Sequence, residues 1–287
     1  MKDKHDKITM EMDLEENIMT TAKYQASYLQ WAGGKGKVLP HLLPILDKYR
    51  QPHFCEPFVG AGNVALNVEC SKYTLVDINK DLIDSHKFVS TNYQEYIDHT
   101  QEYFNMGFDP YYELRDTFNA LPSGDEGRVA LFQYLNKHGF NGLCRYNKSG
   151  KFNTPKGTVK KNKVKLPLQQ IQAFSDKFKS DDFVCGSFEN YFDFDEDTLI
   201  YCDPPYVPMT ASDFKYDAKG FTPDDQIKLR DLARDSRHTV VISNHWNEVA
   251  QELYKDADEV HVIDVQRTIS CKGSERIKVK ECIVVYF

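Results

Sequence analysis

The sequence predicts an α/β fold, in which a sheet with an antiparallel edge carries a mostly helical insertion. Short apolar runs typical of buried strands alternate with segments whose apolar residues recur at helical spacing. One long stretch, from about residue 81 to residue 137, interrupts this alternation and is mostly helical in pattern. The chain has 287 residues, 41% of them hydrophobic, which is enough for one main domain with an insertion.

The first predicted strands and helices lie between residues 53 and 88. Residues 53–57 suit a short strand, and residues 59–62 contain two glycines that favour a tight turn. Asn63 is a good N-cap, so a helix is predicted from there to about residue 70. Residues 73–77 form the second predicted strand, and a helix is predicted from near Asn79 onward.

The helical stretch separates these elements from three more strands. Within it, residues 111–118 and 128–136 show apolar spacing of helical period. The later apolar runs at 182–185, 198–202 and 239–243 have the length and composition of buried strands.

The last third of the chain adds one well-marked helix and two long strands. Pro223 stands at the first position of a helix that runs to about residue 235, with Thr222 as its N-cap. Residues 261–287 predict two strands joined by a polar loop around Gly273. These two strands would supply the antiparallel edge of the sheet.

Composition limits the class of protein and its compartment. No apolar run reaches transmembrane length, and residues 1–27 lack the apolar core of a secretory signal, so that segment is predicted to be a disordered tail. The 7 cysteines are odd in number and form no Cys-x-x-Cys pair, which argues against a disulfide framework and a structural zinc site. We expect a cytoplasmic protein with no metal, no membrane association and no obligate protein partner.

Residues 201–206, Tyr-Cys-Asp-Pro-Pro-Tyr, follow an apolar strand and are the most informative segment of the chain. Pro204 and Pro205 fix their own backbone torsions and lack N–H groups. Asp203 and nearby carbonyl oxygens can therefore accept hydrogen bonds beside the face of Tyr206. An exocyclic amino group on a planar base needs such acceptors and a ring on which to stack. The alternative is a strand that ends in a proline turn without a binding function.

A ligand-binding turn is predicted where the first strand gives way to its helix. Gly60 and Gly62 allow close approach of a ligand to the backbone, and Asp77 ends the next strand, where an acid can bind both hydroxyls of a ribose. The third glycine of the dinucleotide fingerprint is absent, which favours a nucleoside over a pyrophosphate. A purely structural turn is the alternative.

An upstream segment, residues 31–37, resembles a phosphate-binding loop. Val38 stands where that motif requires Ser or Thr, so we reject a nucleoside triphosphatase. The tryptophan, glycines and lysine of this segment could instead close over a small ligand and hold its carboxylate.

The charge distribution favours a nucleic-acid partner although the net charge is −7. Residues 128–175 contain no Asp or Glu and carry ten positive charges, a local footprint that suits a phosphate backbone. A solvated lysine-rich loop is the alternative. The ten residues are Arg128, Lys137, Arg145, Lys148, Lys151, Lys156, Lys160, Lys161, Lys163 and Lys165.

Together these motifs resemble the Dam-type DNA adenine-N6 methyltransferases of the α class (D12 type). The resemblance implies an S-adenosylmethionine-dependent, Rossmann-like catalytic domain at 28–79 and 169–287. It also implies a target-recognition domain at 80–168, with a β-hairpin at 139–158. The matching segments are 28–39, 54–62, 75–83, 134–157, 200–208 and 242–245.

The resemblance assigns residues to a cofactor pocket and to a catalytic segment. Asp77 would bind the ribose of S-adenosylmethionine, and Ser187 replaces an Asp that is often found in the family. Asp203 would touch both the cofactor and the target amino group, within the catalytic set Asp203, Pro204, Pro205 and Tyr206. The implied cofactor-binding residues are Trp31, Lys35, Phe58, Gly60, Gly62, Asp77, Ser187, Phe188 and Asp203.

The resemblance also implies that the hairpin enters the major groove of double-stranded DNA at a GATC-like site. Phe140 and Asn141 would fill the gap left by a flipped base, and Arg145 would bind guanine. Gln30 stands where relatives often have a base-contacting Lys. The implied DNA-binding residues are Phe140, Asn141, Leu143, Arg145 and Pro155 as base contacts, and Lys137, Lys148 and Lys151 as phosphate contacts.

The predicted reaction is methyl transfer to the N6 amino group of an adenine extruded from the duplex. Tyr206 would stack on the base, while Asp203 and the Pro204 carbonyl accept its two N6 hydrogens. Two alternatives stay open: a methyltransferase that acts on RNA or protein through the same segment, and a DNA-binding relative without catalytic activity.

Overall fold

A computed structural model of the chain describes residues 24–31, 33–158, 164–207, 220–268 and 276–287. These residues form one seven-stranded sheet with helices on it and a helical insertion between its second and third strands. The predicted α/β class is therefore confirmed. Most of the predicted N-terminal tail, Lys160, Lys161, Lys163 and the polar loop around Gly273 lie outside the described residues.

The sheet has the order β3-β2-β1-β4-β5-β7-β6. Strands β1 to β5 are parallel, whereas β7 pairs antiparallel with both β5 and β6. The predicted antiparallel edge is confirmed. The strands are β1 (His53–Glu56), β2 (Lys72–Asp77), β3 (Phe183–Cys185), β4 (Thr198–Cys202), β5 (Thr239–His245), β6 (Glu259–Thr268) and β7 (Arg276–Tyr286).

Seven α-helices occur in the described part of the chain, and α2 to α4 belong to the insertion. Their starts follow local chemistry: the Asn79 side chain accepts the Leu82 N–H at the start of α2, and Thr222 accepts the Asp225 N–H at the start of α6. The helices are α1 (Leu39–Lys48), α2 (Lys80–Asn105), α3 (Tyr111–Ala120), α4 (Glu126–His138), α5 (Leu168–Lys177), α6 (Pro223–Asp235) and α7 (Glu248–Leu253).

Alternate residues of the central strands enter two hydrophobic clusters, as the two-residue period of a strand requires. In β4, Leu199 and Tyr201 belong to the cluster that also holds α1, α2 and α5, whereas Ile200 and Cys202 belong to the cluster with α6 and α7. The strands are thus buried on both faces. No helix in the described part of the chain combines the length and apolar content needed to span a bilayer.

The helix predicted from Asn63 to about residue 70 is wrong. Only a short 3-10 turn, Ala65–Asn67, forms there, and Val68 already has an extended backbone. The reason is tertiary: the Asn63 side chain accepts the Ser27 N–H instead of capping a helix, and Asn67 bonds to both the N–H and the carbonyl of Gln25. Two asparagines that favour a helix start locally are therefore used to fasten the preceding segment.

Candidate active site

A cavity of about 810 Å³ opens at the carboxyl ends of the parallel strands. Glu56 ends β1, Asp77 ends β2, and Asp203 follows β4; all three line the cavity. The strand order reverses between β1 and β4, and ligands of open α/β sheets bind at such a switch point. The position of the site therefore follows from the topology.

Lys35, from the segment at 31–37, contacts the Asp-Pro-Pro-Tyr segment, which lies about 170 residues later in the sequence. Its Nζ lies 2.5 Å from Asp203 Oδ1 and 4.6 Å from the centre of the Tyr206 ring, on the ring face. The Lys35 side chain is only 4% exposed. The structure thus brings together three predicted site residues, with the Lys35 Nζ between the Asp203 carboxylate and the face of Tyr206.

Tyr206 is held at its hydroxyl as well as at its ring. The hydroxyl donates to Glu281 Oε2 at 2.8 Å, and the His245 ring meets the Tyr206 ring nearly edge-on, with 4.6 Å between centroids. Burial, followed by the Asp203 carboxylate, raises the pKa of Tyr206 well above its ordinary value, so the phenol stays protonated. Next to it, the Pro205 carbonyl accepts from Gln226 Nε2 at 2.6 Å.

Glu56 lines the cavity but was not among the predicted site residues. It is 2% exposed and accepts the Ala65 N–H at 3.1 Å. Burial, followed by the negative charge of Asp203, raises the pKa of Glu56 well above its usual range. Its place at the end of β1 matches that of Asp77 at the end of β2, so an acid at a predicted strand end could have identified it.

Asp77 organises the glycine turn from the neighbouring strand. Its Oδ2 accepts the Gly60 N–H at 3.1 Å, and its Oδ1 accepts the Asn79 N–H at 2.9 Å. Burial raises the pKa of Asp77 in spite of these two bonds. A buried acid whose pKa is raised gains from further hydrogen-bond donors, which the two hydroxyls of a ribose would supply.

The two predicted cofactor glycines have different surroundings. Gly60 lines the cavity at φ +49°, and a Cβ there would lie 2.8 Å from Trp31 Nε1. Gly62 has φ +76° but does not line the cavity; a Cβ there would lie 3.3 Å from Phe174 in the core. Gly62 therefore shapes the turn on the side of the core, while Gly60 and Trp31 form part of the cavity wall.

The remaining wall of the cavity is aromatic. Phe58 stacks on Phe188 with ring centroids 5.3 Å apart, and Phe221 meets Phe58 edge-on at 5.5 Å. Ser187, the residue that replaces the family's Asp, also lines the cavity. Phe221, which precedes the N-cap of α6, was missed because it follows the predicted Asp-Pro-Pro-Tyr segment by 15 residues and no motif marks it.

His86 supports the glycine turn from the core. Its Nε2 donates to the Gly60 carbonyl at 2.8 Å, and its Nδ1 accepts from the Tyr28 hydroxyl at 2.8 Å. Because a carbonyl can only accept, the Gly60 contact places a proton on Nε2, and in the neutral ring Nδ1 is then the acceptor for the Tyr28 hydroxyl. Burial lowers the pKa of His86 to about 4.

We expect His86→Gln to remove part of the acid sensitivity of folding. His86 becomes protonated near pH 6.5 in the unfolded chain but only near pH 4 in the folded chain. The stability that the neutral His86 provides is therefore complete above pH 6.5 and is lost as the pH falls toward 4. Urea unfolding at pH 7.5 and pH 5.0 should show the wild type losing about 2 kcal/mol more than the variant. Equal losses in both proteins would contradict this role.

The segment predicted as a β-hairpin, 139–158, is a loop closed by two isolated antiparallel bridges, Gly139 to Lys156 and Tyr146 to Phe152. Asn141 adopts φ +53° near the base of the loop, two residues after the bridging Gly139 and next to the half-buried Phe140. The residues predicted to contact bases, namely Phe140, Asn141, Leu143, Arg145 and Pro155, are half-buried or exposed, and Lys148 and Lys151 are exposed.

Arg145 is oriented by the loop itself. Its Nε donates to Asn153 Oδ1 at 2.8 Å and its Nη2 to the Asn153 carbonyl at 3.1 Å. Gln30 lies beside the same loop, because Asn136 bonds to both its N–H and its carbonyl and also donates to the Gly142 carbonyl of the loop at 3.2 Å. The motif at 28–39 therefore contributes to this surface as well as to the cavity.

Two members of the basic block have surroundings that a solvated charge would lack. Arg128 donates to both carboxylate oxygens of Asp81, at 2.6 and 2.9 Å, and the Tyr146 hydroxyl donates to Asp81 at 2.7 Å. This ion pair fastens the loop to α2 and α4, so Arg128 has a structural partner. Burial lowers the pKa of Lys137 to about 8.

Comparison with known proteins matches most of the chain to one family. The family model of D12 class N6 adenine-specific DNA methyltransferases matches residues 31–269. A DNA adenine methylase of Vibrio cholerae serotype O1 is 39% identical over 276 residues, which cover 92% of this chain and 97% of the relative. The DNA adenine methylases of Escherichia coli K12 (39%) and Haemophilus influenzae (37%) cover 92% and 90% of this chain, and 96% and 93% of their own lengths.

Proposed function

Because the chain belongs to the D12 class of N6 adenine-specific DNA methyltransferases, we propose that it transfers the methyl group of S-adenosylmethionine to an adenine flipped out of duplex DNA. The proposed recognition site is GATC or a close variant. The family supports adenine methylation; the cofactor, the site and the flipping of the base are our proposal.

The observation that carries the proposal is the position of the Lys35 ammonium. It lies 2.5 Å from Asp203 Oδ1 and 4.6 Å from the Tyr206 ring centre. A nitrogen that carries hydrogens thus already has a charged acceptor and an aromatic face at this point. The amino group of an extruded adenine would use the same acceptor, while its ring stacks on the same tyrosine.

The cavity fits S-adenosylmethionine in size and in chemistry. Its volume of about 810 Å³ is within the usual range for small-molecule sites, roughly 300–1,000 Å³. The carboxyl groups of Glu56, Asp77 and Asp203 suit a cationic ligand that also donates hydrogen bonds, and the Phe58 and Phe188 rings suit a purine. When bound, this cofactor supplies a methyl group on a positively charged sulfur.

Most of the predicted cofactor residues line the cavity and can be given a role there, whereas Gly62 lies behind the turn and supports it from the core. Asp77 would take the ribose hydroxyls, and Trp31 with Gly60 would form the wall against which the ligand packs. Lys35 would pair with the cofactor carboxylate, which would give its ammonium a second partner and release Asp203. Ser187 and Phe188 would lie on the purine side.

The protein's part in the reaction is to position and polarise the amine. Asp203 and the Pro204 carbonyl would accept the two N6 hydrogens and direct the nitrogen lone pair away from the base ring. Positive charge then develops on N6, and the fixed carboxylate of Asp203 stabilises it. Positioning lowers much of the remaining barrier, since both acceptors stand in a proline-stiffened segment.

The loop at 139–158 is the proposed base-reading element. Phe140 would enter the stack where the adenine leaves it, with Asn141 beside it. Leu143, Arg145 and Pro155 would contact bases, and Lys137, Lys148 and Lys151 would contact phosphates. In this role the Asn153 contacts use Nε and one Nη2 hydrogen of Arg145, so Nη1 and the second Nη2 hydrogen would face a guanine with the guanidinium plane already fixed.

Methylation of three purified substrates tests the proposed function. Wild-type protein and labelled S-adenosylmethionine are incubated with duplex DNA that lacks methyladenine, with RNA and with protein, and the modified DNA is mapped by sequencing. We expect label on adenine in duplex DNA, within GATC-like sites. Transfer to RNA or protein alone would overturn the proposal, and binding of DNA with no transfer would identify an inactive relative.

We expect Arg145→Ala to relax specificity at one base pair of the site. Loss of a bidentate guanine contact should cost about 1–3 kcal/mol of discrimination at that position. Competition among duplexes with single substitutions measures this change. Lys148→Ala is the matched control: loss of a phosphate contact should weaken binding to all sequences alike and lower the salt dependence. A uniform weakening by Arg145→Ala would make Arg145 a phosphate contact.

A further inference from the structure

Glu281 is a buried carboxylate on an otherwise apolar face of β7. Side chains alternate along a strand, so Glu281 shares its face with Val279, Ile283 and Val285, all of which are buried. Glu281 itself is 1% exposed. Because an unpaired buried charge is strongly destabilising, an acid at this position needs specific partners.

One such partner is the catalytic tyrosine. The Tyr206 hydroxyl donates to Glu281 Oε2 at 2.8 Å. Glu281 lies opposite His245 in the antiparallel pairing of β5 with β7, and the His245 ring abuts the Tyr206 ring. Two neighbouring strands thus hold the same side chain, one at its hydroxyl and one at its ring.

Opposite charges contact the ring face and the hydroxyl of Tyr206. The Lys35 ammonium lies on the ring face, and the Glu281 carboxylate lies at the hydroxyl. A phenol that donates to an anion becomes more electron-rich, because hydrogen bonds polarise the groups they join. An electron-rich face attracts a positive charge above it more strongly. In the proposed reaction, positive charge appears on the amine that stacks over this face.

We propose that Glu281 is a positioning residue that acts through the Tyr206 hydroxyl: it fixes the plane of the ring on which the target adenine stacks and enriches that ring in electrons. This inference rests on the proposed function and extends it to a residue that touches neither substrate nor cofactor. A charged acceptor is suited to this role, because hydrogen bonds to carboxylates are shorter and stronger than those to neutral groups.

A double-mutant cycle on methyl transfer tests the coupling. Glu281→Gln and Tyr206→Phe should each lower kcat about tenfold, the size expected when a hydrogen bond to a charged group is lost. The double variant should be no slower than the slower single variant, because both changes remove one interaction. KM for the cofactor should change less than twofold, since the contact lies outside the cofactor wall. Independent, multiplicative losses would overturn the proposal.

Two matched controls separate positioning from general stability. Glu259→Gln makes the same change in β6, where the acid pairs with Lys48, and Tyr286→Phe removes a hydroxyl that bonds to Asp256. Both should keep kcat within a factor of two. If Glu281→Gln and Glu259→Gln lowered Tm by the same amount and had the same kcat, Glu281 would contribute only to stability.

A readout without substrate keeps this proposal separate from the proposed function. Fluorotyrosine placed at position 206 reports the state of the ring by ¹⁹F NMR in the protein alone. We expect one sharp resonance in an otherwise wild-type chain and a shifted or broadened one with Glu281→Gln. An unchanged resonance would overturn the positioning role even if methylation is confirmed, and a changed one would support it even if the wild type methylates no DNA.

Discussion

Asp203→Asn is expected to lower the rate of adenine methylation by about 10²- to 10³-fold, the usual effect of removing one preorganised charge-stabilising group. The variant keeps the shape of the side chain but loses the negative charge that faces Lys35 and that, in the proposed reaction, would face the charge developing on N6. Single-turnover rates with unmethylated duplex and saturating cofactor measure the effect on the chemical step directly.

The design of this experiment separates chemistry from folding. Asp224→Asn is the control. Asp224 is an exposed acid in the first turn of α6, and its replacement by Asn removes the same charge. Circular dichroism should show both variants folded, and the control should keep its full rate. A rate for Asp203→Asn within threefold of the wild type would remove Asp203 from the mechanism.

Gly60→Val is expected to weaken S-adenosylmethionine binding by about 10- to 100-fold. A side chain at φ +49° costs roughly 1–2 kcal/mol, so the free variant should relax out of this turn geometry and binding would have to restore it; each 1.4 kcal/mol of that cost is about a tenfold loss of affinity. In addition the new Cβ would lie 2.8 Å from Trp31 Nε1, so the indole must leave the wall of the cavity. Isothermal titration calorimetry with the cofactor measures the dissociation constant.

Gly36→Ala provides the comparison for this variant. Gly36 lies one residue after Lys35, and no atom of the described residues stands within 4 Å of a Cβ placed there. The Gly36→Ala variant should bind S-adenosylmethionine as tightly as the wild type does. If Gly60→Val bound the cofactor as tightly as Gly36→Ala, the glycine turn would be structural and the ligand would sit elsewhere in the cavity.

The features that short-range chemistry determines could be predicted from the sequence. The α6 start is one example, because Thr222 and Pro223 together define a helix N-terminus without help from the rest of the chain. The family and the enzyme class, both confirmed by the comparisons, followed from several motifs in one order. The buried strands were found for the same reason, since runs such as 198–202 are apolar on both faces.

The features that depend on distant partners could not be predicted. The false helix after Asn63 arose because its partner Ser27 lies 36 residues away. Glu281 was invisible as a site residue because nothing near it in the sequence indicates Tyr206, 75 residues earlier. Glu56 is an intermediate case: its place at a strand end was visible, but its neighbour Asp203 depends on how β1 pairs with β4.

The placement of β7 between β5 and β6 has a consequence for synthesis on the ribosome. Until β7 has emerged, β5 and β6 lack the strand that joins them, and each exposes an open edge to other nascent chains. The same strand carries Glu281, so a polypeptide cut short before it would lose the acceptor of the Tyr206 hydroxyl together with the closure of its sheet. Translation products that lack this strand should therefore aggregate more readily than the full-length chain.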